Sequence, residues 1–137
     1  MSPSAVITIV SIFVLMDVVL VWGIRQWVKT TFEEIARDFP PREPLPGAVK
    51  RRWQSISVDM FNFGWSVNIA ADEWGLHFEP IGLGRVFAAR AFSVPFDAIK
   101  LKDGRRGRWL RKARMGKWDL TAPAWALGLA EGESTAP

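Results

Sequence analysis

The chain has 137 residues, 49% apolar and 23% charged, with eight Trp, no Tyr, no Cys and one His. That length suits one domain-sized core, the composition excludes a disordered chain, and the lack of Cys excludes disulfide scaffolds, thiolate metal sites and cysteine nucleophiles. The net charge of +4 is unevenly placed, because all eighteen Lys and Arg residues lie from Arg25 onward.

Residues 5 to 24, AVITIVSIFVLMDVVLVWGI, contain a single charge. As a helix rising about 1.5 Å per residue they match a hydrocarbon core of roughly 30 Å. A transmembrane anchor over residues 1–24 is expected. A cleaved secretory signal is disfavoured because there is no basic stretch before the apolar run and no small-x-small site after it. Trp22 and Trp27 bracket the end of the span as interfacial aromatics, and Arg25 and Lys29 follow as snorkelling cations. Nearby positive charge lies only on this C-terminal side, at Arg25, Lys29, Arg37 and Arg42. The positive-inside rule therefore predicts a single-pass protein with its N-terminus outside and its C-terminal domain in the cytoplasm.

Asp17 stands just past the middle of that span, where an ionised carboxylate costs about 2.5 to 3.5 kcal/mol on insertion scales. One reading is a contact with another transmembrane helix that supplies a hydrogen bond or a cation; the other is that Asp17 is protonated or draws water from the cytoplasmic side. No G-x-x-x-G lies within the span to support a close-packed glycine dimer.

Beyond the span, residues 25–39 keep a helical period, with Val28, Phe32, Ile35 and Phe39 at spacings of four, three and four. This amphipathic stretch has three possible docking surfaces: its own domain, a partner helix or the membrane interface. Pro40 and Pro41 end it, and residues 40–48 read as a stiff proline-rich linker.

The period then changes to two, which marks the start of a β-rich body over residues 49–130. Ile56, Val58 and Met60 alternate with polar residues, as do Trp65, Val67 and Ile69, with Asn62-Phe63-Gly64 as the expected turn between them. Asp72-Glu73-Trp74-Gly75 turns the chain into Leu76-His77-Phe78-Glu79, and alternation sends His77 to the polar face. Pro80-Ile81-Gly82-Leu83-Gly84 reads as a loop. Phe92, Val94 and Phe96, then Ile99 and Leu101, continue the strands, with weaker candidates at residues 109–115 and 117–120. Thr121 is the expected N-cap of a short closing helix in which Ala122, Trp125, Ala126 and Leu129 share a face, before a polar tail at residues 131–137.

A meander of short strands closed by a C-terminal helix, placed after one membrane helix, resembles the bacterial PH-like (GRAM-like) domains of small membrane-anchored proteins. The phrases that carry the resemblance are Ala70-Ala71-Asp72-Glu73-Trp74-Gly75-Leu76-His77-Phe78 and Val94-Pro95-Phe96-Asp97-Ala98-Ile99. The resemblance implies a partly open antiparallel barrel or sandwich that serves as a binding or scaffolding platform without catalysis. Unlike a phosphate-binding pocket of that family, the basic triplet Lys50-Arg51-Arg52 is expected to precede the first strand.

The strongest charged feature is the run Lys100, Lys102, Arg105, Arg106, Arg108, Arg111, Lys112, Arg114 and Lys117, opposed only by Asp103. On a tethered domain it suits anionic lipid headgroups, at about 1 kcal/mol per cation near the surface, or acidic loops of a neighbouring membrane protein. Trp109 and Trp118 beside it also suit base stacking, but a membrane tether argues against nucleic acid; a solvated hairpin guarding a sheet edge is the simplest alternative. His77 with Asp72, Glu73, Glu79 and Asp97 makes a possible carboxylate-histidine cluster, yet no metal, nucleophile-elbow or Walker spacing accompanies it. Gly82-Leu83-Gly84 lacks the third glycine of a dinucleotide fingerprint. The expected function is thus a non-catalytic accessory or scaffolding subunit of a larger membrane complex, with respiratory or photosynthetic assemblies as natural hosts. Membrane lipids and other transmembrane proteins are its partners, with no cofactor, metal, nucleic acid or small-molecule substrate. The alternative is a tethered module that binds anionic lipid by itself.

Overall fold

The structure, a computed structural model, describes residues 1–102 and 109–131. The apolar span and the amphipathic stretch form one unbroken helix, α1 (Pro3–Asp38), of 36 residues. Its start is fixed by Ser2, whose side chain accepts a hydrogen bond from the Ala5 N–H at 3.2 Å, with Pro3 at the first helical position. Its end is fixed by Phe39, which leaves helical geometry with its N–H on the Ile35 carbonyl, before Pro40. Only Val28, Phe32 and Ile35 of α1 are buried. Of the three docking surfaces open to this stripe, the helix uses its own domain.

Seven antiparallel strands follow: β1 (Val49–Val58), β2 (Phe61–Ala71), β3 (Gly75–Pro80), β4 (Phe92–Pro95), β5 (Ile99–Leu101), β6 (Leu110–Met115) and β7 (Trp118–Pro123). A one-turn helix, α2 (Leu83–Val86), separates β3 from β4, and α3 (Ala124–Gly128) closes the body. The sheet order is β4-β3-β2-β1-β7-β6-β5. The two edge strands, β4 and β5, are joined by the single 3-10 turn Phe96–Ala98, so the sheet curls into a nearly closed barrel. The domain is thus an N-terminal apolar helix, an antiparallel near-barrel and a short C-terminal helix.

Curling is achieved at β1 and β2. The β1–β2 register slips between Arg51 and Gln54 and again between Gln54 and Ile56. There Trp53 (φ 56°) and, across on β2, Trp65 (φ 58°) take the left-handed conformation. These are β-bulges, which bend a strand and raise its twist. Each displaced N–H finds a side-chain acceptor: Trp53 on Asn68 Oδ1 at 3.3 Å and Trp65 on Ser55 Oγ at 3.0 Å. The bulge breaks the alternation that groups Trp65 with Val67 and Ile69, and Trp65 is 75% exposed.

Three local expectations are corrected. The β1–β2 turn is Asp59-Met60, not Asn62-Phe63-Gly64, because Asp59 tolerates φ 50° and its backbone and carboxylate both pair with Asp119. Phe63 instead enters the core. Thr121 belongs to β7, paired with Lys112, and α3 starts two residues beyond the expected face, after Pro123. The triplet Lys50-Arg51-Arg52 lies inside β1 instead of before it.

β3 and β4 approach so closely where Gly75 pairs with Pro95 that a Cβ on Gly75 would stand 2.0 Å from the Val94 carbonyl oxygen. That oxygen is backbone held in a sheet and cannot yield cheaply. Gly75→Ala is expected to destabilise the body by about 2 kcal/mol, read as a lower denaturant midpoint at unchanged slope.

Candidate functional site

Chemistry-bearing groups fall into three places, the span, the outer sheet face beneath the linker, and the basic strands. In the span, no residue of the apolar window is buried by the rest of the chain. Asp17 is flanked there by Leu15, Met16, Val19 and Leu20, and no described side chain bonds to it. The predicted interfacial residues divide. Trp22 is 62% exposed, whereas Arg25 donates from Nε to the Val86 carbonyl at 3.2 Å and Trp27 packs edge-on against Phe61 with centroids 4.7 Å apart. Lys29 lies half-buried one turn further on. Two of the four residues therefore also join the helix to the body.

The outer face of β1–β4 carries a polar cluster that sequence reading missed in part. Lys50, Ala70, His77 and Ser93 stand in one cross-strand row. The proline-rich segment is a strap across them. The Arg42 N–H donates to Ser93 Oγ at 2.8 Å, and the Leu45 N–H donates to Asp72 Oδ2 at 2.8 Å. His77, on the polar side as alternation predicts, is only 7% exposed because this strap covers it. Its Nε2 meets Asp72 Oδ2 at 2.7 Å and its Nδ1 meets Ser93 Oγ at 2.8 Å. Trp74 stacks on the imidazole, and the Arg42 guanidinium lies 4.3 Å from the Trp74 ring centroid.

Asp72 is the hub. Burial alone would raise its pKa, but the N–H groups of Leu45 and Gly75, the His77 ring and the Trp74 N–H together hold it down at about 2. A carboxylate only accepts, so the Nε2–H of His77 donates to Asp72, which leaves Nδ1 facing the Ser93 hydroxyl. These are the residue types of a nucleophilic triad. Ser93 is 2% exposed and tied to the backbone of Arg42, so the network clamps the strap and does not present an attacking oxygen. A groove of about 190 Å³ opens beside it, lined among others by Lys50, Arg52, Asn68 and Glu79.

The basic run is less uniform than its sequence. Arg105, Arg106 and Arg108 lie outside the described residues. Arg111 corrects the expectation of an outward basic surface: it is 4% exposed, on the inward face of β6 with Ala113 and Met115, as strict alternation places it. Lys102 and Arg114 both pair with Asp119, at 2.7 and 3.5 Å, and the hydrogen bond from Lys102 is the main cause holding that carboxyl below its ordinary range. Lys117 faces Glu34 of α1 at 3.8 Å. Trp118 is buried, with its indole N–H on Asp38, and so offers no stacking platform. Lys100 and Lys112 remain exposed, with no ion pair to a described residue.

No family model, curated protein or solved structure matches the chain.

Proposed function

We propose that the chain is a single-pass inner-membrane protein, N-terminus outside and barrel in the cytoplasm, that serves as a non-catalytic accessory or scaffolding subunit of a larger membrane complex. The observation that carries this reading is Asp17, a carboxyl group with no partner among the described residues, in an apolar helix whose surface the body leaves uncovered. Leaving such a group against lipid costs several kcal/mol, so a polar group on a neighbouring transmembrane helix is its natural complement. The joint between α1 and the barrel supports the same role, since a helix built into the core transmits a lateral contact to the cytoplasmic face. The meander closed by a C-terminal helix is also the feature shared with PH-like domains, and we assign the body to that kind of platform.

Solubilisation in mild detergent followed by native gel separation tests the proposal. The wild-type chain should migrate with a large complex, and Asp17→Leu should insert equally well but release at least about tenfold more free subunit, the equivalent of 1.4 kcal/mol. Unchanged migration of Asp17→Leu with the complex would remove Asp17 from the contact. Wild-type migration as a small species would overturn the accessory role. The alternative, an autonomous reader of anionic lipid through the basic run, is supported by exposed Lys100 and Lys112 but weakened by the internal pairing of Lys102, Arg114 and Lys117.

A further inference from the structure

The rim of the barrel beside the exit point of α1 is unusually apolar. In α2, Leu83 is 66% and Val86 64% exposed, three residues apart and so on one side of the turn. Between them Arg85 is exposed, and no described residue pairs with it. Arg25, the first residue after the apolar span, reaches across to the Val86 carbonyl. That bond fixes the depth of α2: it stands level with the end of the span. Ile24, the last residue of the span, lines an apolar cleft of about 240 Å³ together with Phe61, Leu83 and Phe87. The exposed apolar surface of α1 thus reaches α2 across this cleft, with Arg25 bridging the junction.

We propose that α2 is a second membrane contact, in which Leu83 and Val86 enter the boundary between headgroups and acyl chains of the leaflet that α1 leaves, while Arg85 takes a lipid phosphate. The occupant is lipid because the patch adjoins the lipid-facing helix, it presents apolar side chains rather than polar groups needing specific partners, and its one charge is of the sign that headgroup phosphates attract. The consequence is mechanical. One helix alone allows the barrel to swing; attachment at α1 and α2 together fixes which face of the barrel looks along the membrane and which looks away. The proposal rests on the reading of α1 as a membrane span, and the test separates the two.

Because the chain has no Cys, single cysteines carry a nitroxide label at defined sites. The full chain is reconstituted alone into phosphatidylcholine vesicles containing phosphatidylglycerol, labelled in turn through Phe13→Cys in the span, Leu83→Cys, Val86→Cys, and Lys112→Cys on the exposed side of β6. Collision with oxygen, which concentrates in lipid, is compared with collision with a water-soluble nickel chelate. The expected result is an oxygen-dominated ratio at Phe13, Leu83 and Val86, and a reversed ratio at Lys112. If Leu83 and Val86 behave like Lys112 while Phe13 stays in lipid, the second contact is overturned and the anchor stands. If all four sites favour nickel, the anchor itself fails. Protection of Leu83 and Val86 from both reagents would show a second copy of the chain on the rim and would equally overturn the lipid assignment.

Discussion

Phe32→Ala is expected to cost about 3 to 5 kcal/mol and to loosen α1 from the barrel. Phe32 is 1% exposed and sits between Phe63 and Phe92, at centroid distances of 5.4 and 6.1 Å, with Phe92 itself stacked on Phe78 at 4.7 Å. Its ring therefore ties the helix to β2 and β4 and, through Phe92, to β3. The loss is a cavity where three strands and a helix converge, and the surrounding backbone, closed into a barrel, has little freedom to collapse into it. The surface ion pairs across the same joint, Arg90 with Glu33 at 3.7 Å and Lys117 with Glu34 at 3.8 Å, are worth far less, about 0 to 1 kcal/mol each. Denaturant unfolding of the full chain in detergent measures the difference, and proteolysis within residues 40–48 should quicken as the helix detaches. A Phe32→Ala protein within 1 kcal/mol of wild type would show that the joint is not part of the core.

The stripe that makes this joint was legible, since Val28, Phe32 and Ile35 announce a buried face by spacing alone. Spacing does not say what covers the face, because a barrel wall, a partner helix and a lipid interface all ask for the same apolar period. Strand alternation was equally informative where the ladder is regular and misleading where it is not. Met60 continues the parity of Ile56 and Val58 yet is 79% exposed, because Asp59-Met60 is the turn. Trp65 loses its parity to a bulge, a device that inserts a residue without any strong residue signature when the position is a tryptophan. Arg111 shows the opposite case: parity with Ala113 and Met115 placed it inward, and counting charges along the run obscured this. The strap was hidden for a different reason. Proline-rich composition predicts local stiffness but not where a stiff segment lies, and its anchors, Ser93 and Asp72, are 51 and 27 residues from the amides they accept.

Those anchors make Asp72 the second site of large effect. Asp72→Ala removes the acceptor for the N–H groups of Leu45, Trp74 and Gly75 and for the His77 ring, which meet it at 2.7 to 3.0 Å. With each unmet buried donor costing about 1 to 3 kcal/mol and part of that cost relieved by entering water, the expected loss is about 3 to 4 kcal/mol, accompanied by release of the strap. Acid should reproduce part of it. The carboxyl has a pKa of about 2 in the folded chain against an ordinary value of 3.8, so the unfolded chain binds the proton first as pH falls. The stabilisation from ionised Asp72 is therefore complete above pH 3.8, declines through the interval between the two values, and is gone below about 2, amounting to about 2 kcal/mol in all. Asp72→Asn cannot titrate, so its stability between pH 5 and 2 should fall by about 2 kcal/mol less than that of the wild type. The contrast is measured by denaturant midpoints across that range. If wild type and Asp72→Asn lose stability in parallel, the carboxylate is not the hub that holds the strap, and Ser93 alone carries the linker.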